Sequence, residues 1–144
     1  MGTTQNYDSN EVSVSFAGRS IDAGRADGEF VTITFASEIF TKKVGADGEV
    51  TRSKTNDFSG SCTLKLLATS SGHQTLTALY ATARASATGE DMAPLQIRDR
   101  NTGLEYHAEK AWIAKHGDVG FGKEVGEREW VIDFGDLVPQ VGAL

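Results

Sequence analysis

Residues 37–67 read SEIFTKKVGADGEVTRSKTNDFSGSCTLKLL. Two strand-like runs flank the turn Gly45-Ala46-Asp47-Gly48, and the arms beside that turn are polar on both faces. Thr41, Lys42 and Lys43 lead into it; Glu49, Thr51, Arg52, Ser53, Lys54 and Thr55 lead out. Side chains alternate sides along a strand, so a hairpin that packs on its own domain shows one apolar face. These arms offer only Val44 and Val50 between positions 42 and 56. A two-stranded ribbon standing alone is marginal in water. The reading predicts a protruding hairpin over 37–58, held by something outside the subunit, and so points to assembly rather than catalysis.

Outward from the hairpin, the chain reads as strands. Phe30 to Phe35 (FVTITF) is β-branched and aromatic, with Val31, Ile33 and Phe35 on one face. Residues 61–67 place Cys62, Leu64 and Leu66 on one face. Val12, Val14 and Phe16 alternate with serines, and Trp130, Ile132 and Phe134 alternate in what reads as the last strand, before a short tail after Pro139. Residues 93–100 and 104–113 form a hairpin across Asn101-Thr102-Gly103. One helix is predicted over 70–85: Ser71 and Gln74 have capping-box spacing, and Leu76, Leu79, Tyr80 and Ala83 share a face. Residues 1–10 are polar and predict an extended N-terminal arm. The sum is a mostly β protein: one antiparallel domain over 1–144 of seven or eight strands, with one helix and no βαβ winding.

Composition narrows the function classes. The 144 residues suit one domain with its own core. Cys62 is the only cysteine, which excludes an internal disulfide and a cysteine zinc site and fits a reducing cytoplasm or indifference to redox. No apolar run nears the roughly 18 residues of a membrane helix, and residues 1–11 lack a signal-peptide pattern, so no membrane anchor is expected. A net charge of −6 argues against a surface that grips nucleic acid. Between positions 42 and 56, four bases (Lys42, Lys43, Arg52, Lys54) and two acids (Asp47, Glu49) leave +2, so the remaining residues carry −8. A basic arm on an acidic body can pair with another copy of itself; the plainer reading is solvated charge.

Candidate chemistry is thin. Residues 117–124 (GDVGFGKE) match the phosphate loop G-x-x-x-x-G-K until Glu124 stands where Ser or Thr is needed to hold magnesium. The residues that follow alternate like a strand, where a phosphate loop needs a helix. Glu105, His107 and Glu109 sit at strand spacing and could hold a divalent metal; they also read as a solvated stripe opposite a core face of Tyr106, Ala108 and Trp112. No Gly-x-Ser-x-Gly elbow exists, and Ser59-Gly60-Ser61-Cys62 reads as a strand entrance. His73 and His116 read as surface residues, and Cys62 as a buried small hydrophobe. No acid, base and nucleophile converge, so no enzyme and no cofactor is expected. A small β-barrel that binds an apolar ligand is a competing reading, but seven Phe and two Trp hardly supply both a core and a roomy pocket.

The order of elements carries a resemblance. A strong strand enters a long polar hairpin; then come Gly60-Ser61-Cys62-Thr63-Leu64-Lys65-Leu66, Thr69-Ser70, and a helix with Leu76 and Leu79. This resembles the tail tube proteins of tailed bacteriophages, above all those with contractile tails, over roughly residues 8–136. The tube proteins of secretion systems and phage-derived bacteriocins share the architecture. The resemblance implies an antiparallel β-barrel or sandwich with one flanking helix. It implies six copies per ring, rings stacked into a hollow tube, and strands of all subunits joined in one inner barrel. The hairpin residues Lys42, Lys43, Asp47, Glu49, Arg52 and Lys54 would touch neighbouring subunits. Acidic residues, with Glu105 and Glu109 as candidates, would line a lumen through which DNA slides without sticking. It further implies sheath, tape-measure, baseplate or terminator proteins as partners, a place in the virion tail, and assembly in the host cytoplasm.

Overall fold

A computed structural model describes residues 4, 6–87 and 92–141. Ten strands and one helix occur among them: β1 (Val12–Phe16), β2 (Arg19–Ser20), β3 (Val31–Phe35), β4 (Phe40–Val44), β5 (Val50–Lys54), β6 (Gly60–Leu67), α1 (Gly72–Ala85), β7 (Ala93–Asp99), β8 (Leu104–Lys115), β9 (Glu127–Phe134) and β10 (Leu137–Val141). Eight strands form one antiparallel sheet in the order β2-β1-β7-β8-β9-β6-β3, with β10 also on β8; β4 and β5 pair only with each other. The fold is therefore mostly β and antiparallel with one helix, as the alternation pattern predicts.

The sheet rolls until its two ends meet through residues 21–26. At one end, the Ile21 N–H donates to the Val14 carbonyl of β1 (3.2 Å). At the other, the Ala26 N–H donates to the Lys65 carbonyl of β6 (3.2 Å), and the Leu67 N–H to the Gly24 carbonyl (2.7 Å). The closure encloses one core: Val14 and Phe16 of β1, Cys62, Leu64 and Leu66 of β6, Leu95 and Ile97 of β7, Ala108 and Ala111 of β8, Trp130, Ile132 and Phe134 of β9, with Ile21 from the closing segment. Burial of this apolar surface is the main force holding the roll shut.

Arg25 is the staple of that closure. Its guanidinium donates to the carbonyls of Ser9 and Val12 and pairs with the Asp22 carboxylate at 2.9 Å, while it lies 4.6 Å over the Phe30 ring. Asp22 accepts in addition from the Val14 N–H (3.2 Å) and the Ser20 hydroxyl (2.7 Å). Burial pulls the Asp22 carboxyl upward, but these hydrogen bonds and the Arg25 charge outweigh it and hold it below the usual carboxylate range.

Local details depart from the sequence reading. The helix is not capped by the Ser71 side chain, because Ser71 already has helical backbone angles. Ser70 serves instead: its hydroxyl oxygen accepts from the Gly72 N–H at 3.0 Å and donates to the Ala23 carbonyl, tying helix start to closing segment. Gly72 permits this approach, since a Cβ there would stand 2.7 Å from the Ile21 carbonyl oxygen. Residues 137–141 are not a tail but β10, paired with β8 from Leu137↔Ala108 to Val141↔Leu104. Pro139 lies on an edge strand, where a missing N–H is tolerated.

Strand β8 carries the other departure. Leu95 faces Ala108 and Ala93 faces Ala111, so β8 has one extra residue around Glu109–Lys110. This bulge switches the inward set from Tyr106 and Ala108 to Ala111 and Ile113. Trp112, expected on the core face, therefore turns outward beside Thr34, Ser61 and Asp133. Of the predicted N-terminal arm, residues 1–3 and 5 lie outside the described residues. Asp8 is tied to the β7–β8 turn: its N–H donates to the Asn101 side-chain oxygen, and the Asn101 amide donates back to its carbonyl, both at 3.0 Å.

Candidate assembly surface

The 37–58 stretch forms the distal half of one long hairpin whose proximal half is β3 and β6. Pairing runs on past β3, with the Ala36 N–H donating to the Ser59 carbonyl (3.0 Å) and the Thr55 N–H to the Ile39 carbonyl (2.6 Å). Asp57 pins the neck: its carboxylate accepts from the Ser59 hydroxyl and N–H and from the Ser37 hydroxyl, and these bonds hold its pKa below the usual range. The tip is closed by Gly45 N–H to Glu49 carbonyl (2.8 Å) and Glu49 N–H to the Asp47 carboxylate (3.1 Å), with Gly48 at φ +87°. Only glycine adopts that conformation at no steric cost.

Every residue of β4 and β5 is exposed. The register sorts their side chains more sharply than the sequence does. Phe40 faces Lys54, Lys42 faces Arg52, and Val44 faces Val50. These six residues share one side, so three of the four cations and all three apolar side chains of the two strands lie together. Thr41, Lys43, Thr51 and Ser53 take the other side. The ribbon is not polar on both faces: one face is basic and apolar. Arg52 lies over the Phe40 ring at 4.3 Å, which stiffens it. Lys42 and Arg52 stand directly opposite each other, an unfavourable pairing that an acidic partner would relieve.

Two strand edges are also open. Among the described residues, β3 pairs only with β6 and β10 only with β8. Bare edges invite further strands. On the outer side of β8, Glu105 is half-buried and paired with Arg98 at 2.8 Å, while Glu109 is exposed at the bulge. Glu109 stands at the start of the bulge and lines a shallow groove with His107, and among the described residues no three such side chains gather to hold a metal.

The remaining motif residues serve packing. Gly117 lies against the backbone of β9; a Cβ there would fall 1.8 Å from the Glu129 carbonyl oxygen. That contact accounts for the first glycine of the phosphate-loop look-alike, and the loop leads into a strand, not a helix. Cys62 is fully buried, which pushes its thiol up to about 12. His73 is buried, not on the surface as the sequence suggested. Its Nε2–H donates to the Leu67 carbonyl (2.7 Å) and its Nδ1 accepts from the Trp130 indole (3.0 Å). His116 leans on Trp130 with ring centres 4.3 Å apart. The barrel interior is filled by side chains, and the groove of about 930 Å³ near Arg25, Phe30 and Ile97 is open to solvent at the closing segment.

Comparison with known proteins agrees with this picture. The curated "Structural protein ORF10" of Pseudomonas phage KPP10 is 27% identical over 146 aligned residues, covering 98% of this chain and 84% of that protein. Three solved structures share the fold. The tube-terminating cap of the anti-feeding prophage aligns over 99% of this chain and 95% of its own at 9% identity, with a TM-score of 0.64. The sheath/tube terminator of the PVC extracellular contractile injection system aligns over 96% and 99% at 11% identity, with a TM-score of 0.65. A chain of the PVC sheath-tube complex aligns over 94% and 92% at 11% identity, with a TM-score of 0.60. A family model described as the Bacteriophage PhiTE tail tube protein matches residues 4–142. The chain belongs to that tail tube family, a family of phage structural proteins and not of enzymes.

Proposed function

We propose that this chain is the repeating subunit of a phage tail tube, built from hexameric rings stacked around a hollow lumen through which DNA passes. The ribbon of β4 and β5 carries the reading: ten strand residues without one buried side chain have no role inside a lone subunit. In a ring, the open edges of β3 and β10 become pairing surfaces, and the ribbon reaches a neighbouring copy. Lys42, Lys43, Asp47, Glu49, Arg52 and Lys54 are its contact residues. The acidic body supplies a lumen that repels DNA phosphates, with Glu105 and Glu109 proposed to face it. A sheath surrounds the tube, terminator, tape-measure and baseplate proteins meet it, and the subunit is made and assembled in the host cytoplasm before it resides in the virion tail.

Negative-stain electron microscopy of the purified protein tests the reading. Rings or hollow tubes are the expected result. A strictly monomeric protein at high concentration and physiological salt would overturn it.

A further inference from the structure

The ribbon and the 117–126 loop lie at opposite ends of the same strand pair. In the β6–β9 ladder, Gly60 pairs with Phe134 and Leu67 with Glu127. The ribbon leaves from the Gly60 end, and the loop enters at the Glu127 end. Eight residues of β6 separate the two by about 23 Å along the strand. The ribbon points away from the loop of its own chain.

Their surfaces are complementary. The ribbon face holds Lys42, Arg52 and Lys54 with exposed Phe40, Val44 and Val50. The loop holds Asp118 and Glu124, with Glu127 at its exit, against two bases, Lys123 and Arg128. It also exposes Val119, Phe121 and Val125. Phe121 is 88% exposed and sits beneath the Arg128 guanidinium at 5.4 Å, so a large apolar ring is held out in water. Both surfaces are apolar; the ribbon face carries three cations, and the loop with its exit carries a net charge of −1. Complementary charge selects partners and fixes register, while apolar residues at the centre of a contact supply most of its affinity.

We propose that the basic-apolar face of the ribbon docks on the 117–126 loop of a second copy, making a head-to-tail contact along the strand direction. The contact uses two different patches on the two copies, so it does not close on itself and repeats from copy to copy. The proposal rests on the tail tube reading and names the surface that receives the ribbon.

A charge exchange tests it. Lys42→Glu with Arg52→Glu should raise the protein concentration needed for tubes by about tenfold or more, the effect of losing close charge pairs. Asp118→Lys with Glu124→Lys should do the same. All four changes in one chain should restore tubes toward the wild-type concentration. In a mixture of Val44→Cys and Phe121→Cys proteins under mild oxidation, a disulfide between the two variants is expected, with buried Cys62 silent. All these positions are exposed, and circular dichroism verifies each fold. If rings and tubes form but the fourfold variant is not rescued and no cross-link appears, the docking site is wrong and the tube reading stands. If wild-type protein forms neither rings nor tubes, both fail.

Discussion

Arg25 joins more of the molecule than any other single side chain described above. It bonds to Ser9, Val12 and Asp22 and covers Phe30, at the seam where the rolled sheet closes. Arg25→Ala removes a hydrogen bond from each of the Ser9, Val12 and Asp22 carbonyls and the ion pair to the Asp22 carboxylate, near the edge of β1. A loss of about 2 kcal/mol in urea unfolding is expected, with Arg25→Lys recovering only part, because an ammonium lacks the planar fork. A loss below a few tenths would refute the staple. His73 sets a pH dependence. Burial chiefly, helped by Arg128 and His116 and opposed by the Leu67 carbonyl, lowers its pKa below 6.5. The unfolded chain then binds this proton more readily, so the contribution is whole above about pH 6.5 and is lost as pH falls toward the folded-state value. His73→Gln should flatten that part of the curve of stability against pH between pH 7 and 5; an unchanged slope would count against the assignment. Neither role was legible in sequence. Arg25 lies in a glycine-rich turn where periodicity says nothing, and His73 resembles any residue of a helix's first turn until Trp130, 57 positions on, is seen to donate to it.

At the scale of elements, alternation identified the strands that form the core because one face of each must leave water. Cys62, Leu64 and Leu66, and Trp130, Ile132 and Phe134, are buried as their spacing demands. The same logic misplaced Trp112, since one extra residue at Glu109–Lys110 switches faces while the pattern on each side stays regular. It missed β10 because Pro139 reads as a terminator, although an edge strand accommodates it. It missed the basic-apolar face of the ribbon because that face exists only once the pairing of Lys42 with Arg52 is known. Gly60 shows how tightly the neck is built. A Cβ there would come within 2.1 Å of the Thr34 carbonyl oxygen and 2.9 Å of the Phe134 ring. Gly60→Ala is expected to cost about 2 kcal/mol or more, as overpacking does, and to show as a lowered thermal midpoint. A neutral substitution would mean that β3 and β6 can part there without penalty.

For the whole molecule, stability and assembly should be separable. The core lies inside the rolled sheet, and β4 and β5 add no buried side chain to it. Deleting residues 42–54 and joining the arms with a short turn should leave the melting temperature within a few degrees of wild type while abolishing tubes. Tubes of normal length from that deletion would remove the ribbon from assembly; a collapsed fold would show that it serves the subunit instead. The family was legible in sequence from the order of elements, a polar hairpin followed by an alternating strand and a short helix. The contact surfaces were less so, because they depend on which residues the register gathers on one side.

The placement of ribbon and loop at opposite ends of β6 and β9 has a vectorial consequence. Copies joined through these two patches all point the same way, so the resulting filament has a plus and a minus end of different chemistry. One terminus of such a filament would display cationic ribbons, the other the loops with their exposed phenylalanines. Initiation and termination of such a filament would then call on two different surface chemistries, one for each end.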